Sequence, residues 1–192
     1  MEENFNVSIP KMYSDEYIAI VANKVRDVLE LKCPYSPEEA VRKLDGEIQE
    51  TIEDEYIDAE IKKYGDDKFI IRLNKDKPEN RKTFTVAHEL GHLFLHMGFI
   101  IDQDRWNSID NYQDSAFYRM SGDNGMPGRY KQEEHEANVF AANFLMPEEE
   151  FISVANQYLD NGRCNTESLA NHFNVSEMAV INRGKWLRVF EW

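Results

Sequence analysis

The stretch Thr83-Phe84-Thr85-Val86-Ala87-His88-Glu89-Leu90-Gly91-His92 leaves this chain few ways to fold. With Leu93, Phe94 and Leu95 it makes a helix that is apolar on nearly every side, and such a helix is buried. Two imidazoles and a carboxylate inside it are costly unless they have partners. Residues four apart share a helix face, so His88 and His92 can reach one metal ion. Glu89 is one step round the helix, close enough to act on water at that metal without binding the metal. Gly91 in mid-helix costs about 1 kcal/mol relative to alanine, which predicts close packing at that point.

Two imidazole ligands beside a carboxylate general base form the zinc-peptidase arrangement. Such a site needs at least one further protein ligand and leaves a fourth position for water. His96 continues the spacing but lies about 12 Å along the axis from His88, too far to share the ion. It is assigned to packing or to support of a ligand. The third ligand is expected on a second amphipathic helix, Gln132 to Pro147, whose buried stripe is Ala137, Phe140, Ala141, Phe144 and Leu145. Its alanines admit a close approach to Gly91. Glu133 and Glu136 extend the stripe, while Glu134 and His135 are expected to point away. Glu136 is the expected ligand, with Glu133 as the alternative. Asn138 either orients a ligand or meets solvent. Tyr130, His135 and His172 are the candidates for stabilising an oxyanion.

The rest of the chain predicts a mainly helical α+β fold. Ser14 and Asp15 can cap a helix with the stripe Ile18, Val21, Val25, Val28 and Leu29. A short helix starts at Pro37, with Ala40, Val41 and Leu44 inward. Alternation through Ile57, Ala59, Ile61 and Phe69, Ile71, Leu73 predicts a small antiparallel sheet or hairpin before the motif helix, with a third strand near Ile48 to Ile52. An edge strand of such a sheet suits an extended substrate. One domain is expected over residues 1–192. Residues 14–97 hold the N-terminal helices, small sheet and motif helix, and 98–130 an irregular flap or insertion. Residues 131–192 hold the third-ligand helix and the C-terminal helices.

The 36 acidic and 22 basic residues leave a net charge of −14, which disfavours DNA and anionic membranes as direct partners. No secretory signal is visible in residues 1–10, and no apolar run is long enough to cross a bilayer. Cys33 and Cys164 lack metal-ligand spacing and read as reduced thiols. A cytoplasmic location is expected.

Arg81 to Leu93 and Glu136-Ala137-Asn138-Val139-Phe140-Ala141 through Leu145-Met146-Pro147 resemble the two motif helices of the ImmA/IrrE family of zinc metallopeptidases. The likeness extends in order and spacing over roughly residues 14–187, and the 98–130 segment departs from the family pattern. It implies a zincin-like fold, a Zn2+ cofactor and a protein substrate, with cleavage of a helix-turn-helix repressor that controls a phage or mobile element. The rival reading is a metal-stabilised protein that sequesters the repressor without hydrolysis. Thr166 to Arg183 itself reads like a helix-turn-helix, with Ser176 as the cap of its second helix. Only Arg183, Lys185 and Arg188 supply positive charge there, so it is read as packing or substrate docking.

Overall fold

The computed structural model describes residues 13–54, 56–64, 68–99, 116–120 and 128–190, with the backbone alone for 64, 116–120 and 128–130. Ser14 opens α1 (Asp15–Val28) by accepting the Tyr17 N–H. Its buried stripe is Ile18, Ala22 and Val25, continued by Leu29 beyond the last turn. That is a true 3.6-residue period, so Val28, expected inside, is exposed. Helix α2 (Pro37–Lys43) starts on its proline as expected and buries Ala40 and Val41, with Leu44 buried at its end.

Strands β1 (Glu47–Ile52), β2 (Ile57–Tyr64), β3 (Lys68–Asn74) and β4 (Ala116–Met120) form one sheet in the order β1-β3-β2-β4. The β2–β3 hairpin is antiparallel, pairing Ala59 with Leu73 and Ile61 with Ile71. These side chains and Phe69 make the buried face. β1 corrects the expectation of a purely antiparallel sheet, because it runs parallel to β3. The reason is the strand order: β3 lies between β1 and β2, which run in opposite directions, so β3, antiparallel to β2, runs with β1. β4 falls inside the stretch expected to be irregular and pairs antiparallel with β2. The outer strands are therefore β1 and β4. The remainder of the expected flap lies mostly outside the described residues.

Helix α3 (Glu79–Leu95) packs on β2 and β3. Two ion pairs pin its first turns to the sheet: Arg81 to Asp58 at 2.6 Å and Lys82 to Glu50 at 2.8 Å. The helix stops at Leu95, and Gly98 takes a positive φ of 67° as the chain turns away. On its other side lies α4 (Gly128–Leu145), which also receives α1. Phe140 stacks between Phe94 and Phe144, with ring centroids 5.8 and 5.5 Å apart.

Gly91 sits where α3 meets α4. A Cβ there would lie 3.0 Å from Ala137 Cα and 3.1 Å from its carbonyl oxygen. Both are backbone atoms of a packed helix and cannot swing aside. Gly91→Val is therefore expected to destabilise the fold by about 1–3 kcal/mol through overpacking. Denaturant unfolding measures this; an unchanged midpoint would show that the helices separate freely.

Helix α5 (Glu148–Gln157) follows Pro147, and the strand pair β5 (Leu159–Asp160) and β6 (Arg163–Cys164) leads to α6 (Thr166–Phe173) and α7 (Glu177–Trp186). Ser176 caps α7 by accepting the Ala179 N–H, as its position predicts. Arg183 is not a surface cation. It is buried, and it donates to Met146 O at 3.0 Å and Asn143 Oδ1 at 2.9 Å, tying α7 to the end of α4.

Candidate metal centre

His88 and His92 project from one face of α3 with their Nε2 atoms 3.1 Å apart. The carboxylate that meets them is Glu134: Oε1 lies 3.0 Å from His92 Nε2 and Oε2 3.3 Å from His88 Nε2. Among the described residues these three form the group able to hold a metal, with one ligand atom from each within 4.8 Å of the others. Glu136, the expected third ligand, is placed elsewhere. Its carboxylate meets His96, the Tyr13 N–H and Gln132.

The correction has a physical cause. Helix α4 is covered by α3 and by α1, so burial alone does not say which side faces the histidines. Glu136 is the more buried carboxylate, 2 % exposed against 26 % for the Glu134 side chain. A ligand that leaves room for water and substrate belongs on the more open side, where Glu134 lies. The signal that finds it is spacing: Glu134 and Asn138 are four residues apart and share a helix face. Asn138 Oδ1 lies 3.0 Å from His88 Nδ1, so the residue left open between orienting a ligand and meeting solvent touches a ligand.

The donor set fits a divalent metal. Because Asn138 Oδ1 is an acceptor, His88 Nδ1 carries the proton and Nε2 of the neutral ring keeps its lone pair. That lone pair faces a second ring nitrogen and a carboxylate, an arrangement one cation satisfies. Two neutral imidazoles and one carboxylate suit zinc and also several first-row metals.

The electrostatics favour ligation. Burial pushes His92 down to about 4, against the opposing pull of Glu134, so its ring is neutral at neutral pH. His96 is shifted down too, first by burial and then by His92. Glu89, next to His88 on α3, is fully buried.

The candidate oxyanion groups are not gathered at this point. His135 is largely exposed and meets Asp15 at 3.4 Å. His172 packs edge-on against Phe173. The Tyr130 side chain lies outside the described residues. Neither thiol is activated: burial pushes Cys33 up to about 11 and raises Cys164. A groove of about 740 Å³ runs between α3, α4 and α7, lined in part by Arg81, Phe84, Asn138, Met178 and Trp186. Asn138 joins the groove to the metal group.

A helix-borne histidine pair with a carboxylate from a facing helix, built on a small sheet, defines a metallopeptidase-type domain. Residues 48–185 match the peptidase M78 family, described as the IrrE N-terminal-like domain, and the chain belongs to that family. The resemblance read from the two motif helices is thereby borne out. No curated protein matches the chain. No helix among the described residues is long and apolar enough to cross a membrane.

Proposed function

We propose that this protein is a zinc-dependent endopeptidase acting on a regulatory protein of the helix-turn-helix repressor class in the cytoplasm. The observation that carries the reading is the convergence of His88, His92 and Glu134 beside the buried Glu89. His88 and His92 from α3 and Glu134 from α4 would hold the ion. Zinc, when bound, supplies a Lewis acid that polarises the scissile carbonyl and makes water acidic enough to lose a proton near neutral pH.

The chain's own groups do the remaining work. Glu89 accepts the proton of the attacking water and delivers it to the departing amine. Asn138 holds the His88 ring in the tautomer that keeps the lone pair on Nε2. The groove between α3, α4 and α7 is concave and rich in apolar lining, and it reaches Asn138, so it suits a segment of folded or extended protein substrate. The repressor as substrate rests on the family resemblance and on the net charge of −14, which turns the search from nucleic acid toward protein.

The test incubates the full chain and a purified helix-turn-helix repressor with zinc, then with a chelator. Two fragments that form with zinc and not with the chelator are expected. An intact repressor held in a stable complex would favour sequestration instead.

A further inference from the structure

Displaced from the ligand set, Glu136 nevertheless reaches it through His96. His96 Nε2 lies 3.0 Å from Glu136 Oε2, and His96 Nδ1 lies 2.9 Å from His92 Nδ1. Glu136 Oε1 accepts the Tyr13 backbone N–H at 3.1 Å and Gln132 Nε2 at 3.0 Å. The arrangement is enclosed, with side-chain exposures of 6 % for His96 and 2 % for Glu136.

A proton count orients it. The line Glu134–His92–His96–Glu136 contains three contacts, at 3.0, 2.9 and 3.0 Å. Each needs one proton to be a hydrogen bond, and two neutral imidazoles carry two. One contact goes without. Water can solvate the partly open Glu134, whereas the enclosed Glu136 depends on its protein donors. The deficit therefore falls at Glu134. His96 Nε2–H donates to Glu136, His92 Nδ1–H donates to His96 Nδ1, and the lone pair of His92 Nε2 faces the site.

We propose that His96 and Glu136 are a positioning pair that locks His92 in its Nδ1–H tautomer and turns its Nε2 lone pair toward the metal. The inference rests on the metal-site reading above. A ligand histidine is ordinarily oriented by a carboxylate or carbonyl in direct contact; here the carboxylate acts through a second imidazole. Polarisation passes along such a chain and makes the outer nitrogen a better donor. His88 is oriented by Asn138 and His92 by Glu136, so both α3 ligands are set from α4.

Two variants of the full chain test this by zinc competition with a chromophoric chelator. His96→Phe keeps a ring but removes the acceptor, and His96→Gln offers a carbonyl to the His92 Nδ1–H. His96→Phe is expected to weaken zinc binding by about 10–100-fold, and His96→Gln to recover most of that loss. Equal zinc affinity in His96→Phe and the parent chain, or equal losses in both variants, would overturn the proposal.

Long-range 1H–15N correlation on the zinc-free parent chain gives a readout that needs neither zinc nor a folded variant. His92 Nδ1–H with His96 Nε2–H is the expected pattern, and a His92 Nε2–H tautomer overturns the pairing. A parent chain that shows the expected pattern yet binds no zinc would sink the metal reading and leave the pair standing.

Discussion

Glu89→Gln is expected to retain zinc and to lose peptide cleavage by about 10²–10⁴-fold, the range a positioned general base contributes. The substitution preserves shape and removes the proton acceptor. Glu89 is not among the converging metal-ligand atoms, which come from His88, His92 and Glu134, so zinc stoichiometry should stay near that of the parent chain. Both quantities can be measured on one preparation, by elemental analysis and by the rate of substrate loss. Cleavage at the parent rate in a clean Glu89→Gln sample would remove Glu89 from the mechanism.

Glu134→Ala should abolish stable zinc binding, and the loss should exceed the about 10–100-fold expected for a supporting group. The variant removes the charged ligand and leaves two neutral imidazoles 3.1 Å apart. Thermal unfolding offers a second check. A ligand that binds only the folded chain adds about 4.1 kcal/mol of stability at a thousand times its dissociation constant. Added zinc should therefore raise the melting temperature of the parent chain and leave that of Glu134→Ala nearly unchanged. An equal rise in both would move the third ligand away from Glu134.

The pair of predictions separates two carboxylates that look alike in sequence. Glu133 and Glu136 extend the apolar stripe of α4 and Glu134 is expected to point off it, so hydrophobic pattern favours Glu136, directly before the alanines. Pattern reports depth of burial, however, and a deep carboxylate is suited to hold a ring in place. The carboxylate that meets His88 and His92, Glu134, is the less buried of the two. The same limit applies to Arg183, whose charge suggests a surface role until the end of α4 is seen to accept its hydrogen bonds.

Periodicity and short-range spacing carried the local features of this chain: the buried α3 with His88 and His92 on one face, the Ser14 and Ser176 caps, the β2–β3 hairpin and the glycine at the α3–α4 contact. Each depends on residues close along the chain, so geometry of the helix or strand suffices to read it. Partners distant along the chain were settled by packing alone. The face of α4 that meets α3 brought Glu134 rather than Glu136 to the two histidines, placed Asn138 at His88 and set Glu136 behind His96. The same long-range assembly ran β1 parallel to β3 and added β4 beside β2. Glu134 and Glu136 are two residues apart, about 200° round the α4 axis, and only the surfaces of α1 and α3 together fix which of them meets the histidines.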